Sequence, residues 1–178
     1  MRRLALAAAT VLLSAPQIAA AADAPLPCLT PKEATAVAAY AMPSAITGTV
    51  QRCTPALGKQ SWLALNGDAL SKRYGERKVA VWPDAKGALL KMASTSKDAM
   101  AETIKSLPDQ TIQQLADSMI VAAVADKVQV GRCQVIDRFL SLIAPLPAEN
   151  TAELVALTLG LVSQGESPKL GKFALCKA

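Results

Sequence analysis

Four cysteines, one serine–lysine pair and a scatter of carboxylates are the residues best equipped for chemistry, and no histidine accompanies them. Without imidazole, Ser-His and Cys-His nucleophilic catalysis, a haem axial histidine and a protonation switch near pH 6 are excluded, and the commonest zinc and copper ligand is missing. Cys28, Cys53, Cys133 and Cys176 lie far apart with no C-x-x-C spacing. That argues against a thioredoxin-like redox centre or a zinc ribbon and for structural disulfides. In Ser94-Thr95-Ser96-Lys97 the S-x-x-K spacing allows a lysine to activate a serine. A chain with this many serines and lysines shows such a spacing about once by chance, no S-D-N follows, and Lys169-Leu170-Gly171 is a poor K-T-G. Ser96 reads better as a helix cap and Lys97 as a surface lysine.

Paired carboxylates can work as general acid and base on polysaccharides. Glu149 and Glu153 stand one helical turn apart, although their place in the first turns of a helix also suits the dipole. Asp117, Asp126 and Asp137 have Lys127, Arg132 and Arg138 as surface or interhelical partners. Asp137-Arg138 lies amid Ile136, Phe139 and Leu140, so one of the two is expected to be drawn inward as part of a structural salt bridge. Lys72, Arg73, Arg77 and Lys78, with Tyr74 between them and Trp62 and Trp82 nearby in sequence, form the densest basic cluster. Its composition suits anionic lipid headgroups, against a plainer reading as a solvated turn with core tryptophans.

The elements that position these residues are helical. Thr30-Pro31-x-Glu33 specifies a helix start with Thr30 as N-cap and Glu33 at N3. Apolar spacing from Ala34 predicts helix to Met42, where Pro43 should break it, and Ser44 to Cys53 reads as a weaker return leg. Such a hairpin would pair Cys28 with Cys53, closing a loop worth about 3.5 kcal/mol, and would leave Cys133 for Cys176, with the crossed pairings open. Asn66-Gly67-Asp68 predicts a break with Asp68 capping the next helix, which runs to about Tyr74, and Pro83-Asp84 opens another carrying Ala88, Leu89 and Met92 on one side. A short helix from Lys97 to about Leu107 precedes the longest periodic segment, with Pro108 at N1. There Ile112, Leu115, Ala116, Met119, Ile120, Ala123 and Val124 form one apolar stripe expected to be the core. Two more helices follow, one from Cys133 ending at Pro145, the other opening at Pro147 with Leu154, Leu157, Leu161 and Val162 as its buried side. The class is all-α, a small disulfide-stapled domain of about six or seven helices.

Met1-Arg2-Arg3 followed by the apolar run Leu4–Leu13 and small residues at 19–22 reads as a secretory signal peptide over residues 1–22, cleaved after Ala22, with 23–178 as a single domain. The apolar run is too short to span a bilayer. Loss of Arg2 and Arg3 lowers the net charge from +5 to +3, with basic and acidic residues interspersed, which disfavours nucleic acid as a partner. These features lead to a periplasmic or secreted, non-enzymatic binding or structural protein of the bacterial envelope. It has no cofactor or metal and no transmembrane span after cleavage, and its partner is an envelope protein or cell-wall component. The alternatives are a small cell-wall hydrolase or lyase using carboxylates and a peripheral binder of an anionic membrane surface through residues 72–78.

Overall fold

Thr30 starts the first helix through a reciprocal capping box. Its hydroxyl accepts from the Glu33 N–H at 3.2 Å, and the Glu33 carboxylate accepts from the Thr30 N–H at 2.7 Å, with Pro31 opening the helix. The computed structural model describes residues 28–93, 100–164 and 174–176. In chain order these form β1 (Cys28–Leu29), α1 (Pro31–Leu57), α2 (Trp62–Gly75), α3 (Lys78–Ala93), α4 (Met100–Ser106) and α5 (Asp109–Lys127). A single 3-10 turn (Val130–Arg132) leads to α6 (Cys133–Ile143), α7 (Ala148–Gln164) and β2 (Ala174–Leu175). The architecture is all-α, and the two strands are a two-residue parallel pairing of Cys28 with Ala174 and Leu29 with Leu175. The signal-peptide segment 1–22, the Ser94–Lys97 motif and the Lys169–Gly171 stretch lie outside the described residues.

The organising element is α1, which α2, α3, α5 and α7 surround. Its buried residues, among them Ala34, Tyr40, Ile46, Gly48 and Cys53, point to all sides of the helix, the pattern of a helix enclosed by its neighbours. The expected break at Pro43 does not occur, because α1 is continuous through Pro43 and Pro55. Proline inside a helix removes one hydrogen bond and costs about 3 kcal/mol. Packing on every side offsets that cost, and the Pro43 carbonyl accepts from the hydroxyls of Thr47 at 3.0 Å and Ser71 at 2.8 Å.

Continuity of α1 overturns the expected disulfides. Twenty-two residues of helix between Pro31 and Cys53 span about 33 Å, far beyond the reach of an S–S bond. Cys28 instead pairs with Cys176, and Cys53 with Cys133, at Cα separations of 4.7 and 5.3 Å. The first ties the two strands together, where the Cys176 N–H also donates to the Leu29 carbonyl at 2.9 Å. The second is buried among Ile46, Leu63, Leu70, Tyr74 and Leu140, joining the far half of α1 to α6. A separate cluster of Ala36, Tyr40, Trp82, Ala85 and Ile112 joins the near half to α3 and α5.

Two glycines that weaken helix propensity serve as close-approach points. A Cβ on Gly48 would meet the Val121 carbonyl oxygen at 2.6 Å, and one on Gly67 would collide with a Val50 methyl, so these positions bring α5 and α2 against α1. Gly67 therefore lies within α2 rather than in a break, and Ser61, not Asp68, is the N-cap, accepting from the Ala64 N–H at 3.2 Å.

The α5 stripe is not the core. Ile112 is its buried residue, while Leu115 and Met119 are exposed. The seat of Val121 on Gly48 and the pull of Asp117 towards Ser44 and Lys78 rotate the apolar stripe partly into solvent. On α7, Leu154 and Leu157 are likewise exposed and Thr151, Ala152 and Ala156 are buried, since small residues allow the helix to settle close to the body. The side chains of Leu161 and Val162 lie outside the description.

Peptide mapping of the non-reduced protein is expected to recover peptides joining 28 to 176 and 53 to 133, and no 28–53 peptide. Replacing both Cys53 and Cys133 by serine is expected to cost about 4 kcal/mol in denaturant unfolding, given the long loop they close. Gly48→Val, which forces α5 off α1, is expected to lower the unfolding free energy by about 3 kcal/mol with both disulfides intact.

Candidate binding groove

A hollow of about 480 Å³ runs between the start of α1, the α2–α3 corner and the start of α7. It exists because small side chains meet there. Thr35, Ala36 and Ala39 of α1 and Ala148 and Ala152 of α7 leave space that Val81 and Met42 only partly fill. Tyr74 forms the base. Its ring is buried, and its hydroxyl shares a hydrogen bond of 3.1 Å with Thr151, which fixes α7 over α2.

Charge is confined to the mouth. Lys32 pairs with Asp84 at 3.0 Å across α1 and α3, and Arg77 pairs with Glu149 at 2.8 Å across the α2–α3 corner and α7. Glu153 lines the same edge and has no ion-pair partner among the described residues. Exposed pairs of this kind contribute at most about 1 kcal/mol, so they can part for a ligand at little cost. An apolar trough with a few polar groups at the rim, in this volume range, is the usual form of a small-molecule site.

A second polar constellation lies beneath α1. Ser44 donates to Asp117 at 2.9 Å, Lys78 forms an ion pair with the same carboxylate oxygen, and the Lys78 ammonium sits 4.6 Å from the centre of the Tyr40 ring. The Tyr40 hydroxyl donates to the Gln113 carbonyl at 3.1 Å. Burial, with the Asp117 charge second, pushes this phenol far above its ordinary value, so it remains a neutral donor. Serine, lysine and carboxylate together resemble catalytic equipment, but the serine is buried and its proton is directed at Asp117. The cluster joins α1, α3 and α5.

The basic residues 72–78 therefore divide. Lys78 turns inward to Asp117 and Arg77 crosses to Glu149, while Arg73 lies against the Tyr74 ring and donates to the Ala144 carbonyl at the end of α6. Lys72 is exposed. Of Asp137 and Arg138, the pair expected to send one member inward in a salt bridge, it is Asp137 that turns in, and its partner is the Leu63 N–H at 2.7 Å rather than an arginine, so it caps the start of α2 together with Ser61. Asp126 pairs with Lys127 at the surface, and Asp117 finds Lys78 rather than Lys127, Arg132 or Arg138. Glu149 and Glu153, one turn apart as their spacing implies, both reach the groove, and no sequence spacing announces that Asp84 joins them there.

Among the described residues, no group of three or more Cys, Asp or Glu side chains could hold a metal ion, and no helix is long and apolar enough to cross a membrane. No family model matches the chain, and no curated protein or solved structure matches it.

Two carboxylates outside the groove base contribute to the acid sensitivity of this scaffold. The Thr30 N–H and Lys91 hold Glu33 below its ordinary 4.5, and Lys86 with the Trp82 indole holds Asp109 below 3.8. Their stabilisation is complete above the ordinary carboxylate values and is lost as pH falls through the depressed ones. Thermal unfolding is expected to hold steady from neutral pH to about 4.5 and to decline modestly below it, and Glu33→Gln is expected to lower the neutral plateau slightly and flatten that acid limb.

Proposed function

We propose that this is a periplasmic or secreted, non-enzymatic binding protein of the envelope, released by cleavage after Ala22, whose ligand site is the groove between α1, α3 and α7. The observation that carries the reading is the groove itself: about 480 Å³ of alanine-lined apolar space with ion pairs only at its mouth. This suits a ligand with an apolar body and a polar end, such as an amphiphile or an apolar side chain of an envelope component. Two disulfides stapling remote parts of the chain support work in an oxidising compartment. A second reading, a carboxylate-driven cell-wall hydrolase, draws support from the meeting of Asp84, Glu149 and Glu153 at one edge. Two of these three carboxylates are engaged by Lys32 and Arg77, which favours the binding role.

Titration with the apolar fluorophore N-phenyl-1-naphthylamine is expected to saturate at one probe per chain. Ala39→Trp, which fills the trough from a half-buried position, should weaken binding at least about tenfold, or 1.4 kcal/mol, with unchanged helical content. Equal binding by the variant would overturn the assignment. Release of soluble fragments from purified cell wall, abolished in Glu153→Gln, would establish the hydrolase instead.

A further inference from the structure

We propose that the outer face of α6 docks the protein on an anionic phospholipid surface, at a site separate from the groove and from the Arg77–Lys78 half of the basic cluster. On α6, Cys133, Ile136, Leu140 and Ile143 face the body, and Asp137 binds the start of α2. The opposite face carries Val135, Phe139 and Leu142, which are 67%, 52% and 66% exposed, and Leu146 continues their line beyond the helix end. Successive positions three and four apart fall on one side of a helix, so these residues form a continuous apolar ridge, not scattered exposure.

The charge around the ridge selects the occupant. Arg138 stands one turn from both Val135 and Leu142. Arg132, Lys127 and Gln129 surround a shallow hollow of about 410 Å³ that includes Val135 and Ile136, at the N-terminal end of the ridge. Arg73 is anchored to the Ala144 carbonyl at the other end. Arg132 and Arg138 form no ion pair with a described residue and Asp137 is turned inward, whereas Lys127 is paired with Asp126 at the surface, so the two arginines carry the uncompensated charge of this face. An apolar ridge fringed by basic side chains is the pattern of a helix lying in the headgroup region, the ridge among acyl chains and the guanidinium groups on phosphates. A second copy of the chain fits this face poorly, because a two-fold pairing of α6 ridges would bring the arginines of one protomer towards those of the other.

The test uses the disulfide-bonded protein, compared with variants prepared in the same form, in flotation with phosphatidylglycerol–phosphatidylcholine vesicles and with phosphatidylcholine alone. Binding is expected to be stronger on the anionic vesicles and to weaken with salt. Arg132→Gln with Arg138→Gln should reduce partition onto anionic vesicles about 30-fold, and Phe139→Asp at least about 10-fold. All three side chains are exposed, so far-ultraviolet circular dichroism and the fluorophore titration should remain unchanged. The proposal is overturned if the parent ignores anionic vesicles, if the variants bind as the parent does, or if the parent dimerises without lipid and Phe139→Asp abolishes the dimer. The groove assignment stands or falls separately, on the Ala39→Trp titration.

Discussion

Enclosure of α1 is the constraint on which the rest of the molecule depends. A 27-residue helix that contains two internal prolines and is lined with alanine, threonine and glycine would be marginal alone. It persists because neighbours bury it on all sides, and a large apolar side chain withdrawn from water, such as Ile46, offers about 1.5–3 kcal/mol against the proline cost. The small side chains that weaken α1 as an isolated helix also let its neighbours approach closely. Val121 rests on Gly48 and Val50 on Gly67, and larger residues at either glycine would hold the helices apart.

Polar contacts specify how the surrounding helices sit on α1. Asp117 collects Ser44 and Lys78, Asp109 collects Trp82 and Lys86, and Asp137 caps α2. Each links elements distant in sequence, and each fixes the rotation of a helix whose apolar stripe alone would allow several. Rotation of α5 by the Asp117 contact leaves Leu115 and Met119 in solvent. The disulfides act on a larger scale: Cys53–Cys133 fixes α6 against the far end of α1, and Cys28–Cys176 brings the two ends of the described chain together.

The same packing leaves two surfaces available for partners. Alanines at the start of α1 and α7 that cannot fill the interhelical space create the groove. On α6 the apolar arc is wider than the body can cover, so half of it meets the core and half meets solvent beside arginines. One surface is a trough rimmed by exposed ion pairs and the other a convex ridge, and this difference in shape underlies the different partners proposed for them.

The sequence by itself determined the helical class, the Thr30–Glu33 capping box, the end of α6 before Pro145 and the cysteines as disulfide formers, because each rests on local chemistry within a turn or two of helix. It predicted a break at Pro43 that does not occur, and with it the wrong disulfide pairing, since proline propensity is a local cost and the compensating burial comes from residues far along the chain. That one of Asp137 and Arg138 turns inward was legible from their apolar neighbours, but which one and its partner were not, because Leu63 lies 74 positions away. The groove left no motif, as alanines at 36, 39, 148 and 152 mean nothing until two helices face each other. Only the tertiary structure decided which side of each amphipathic helix meets the core: periodicity fixes that a helix has an apolar face, while close-approach glycines and buried polar contacts fix where that face points.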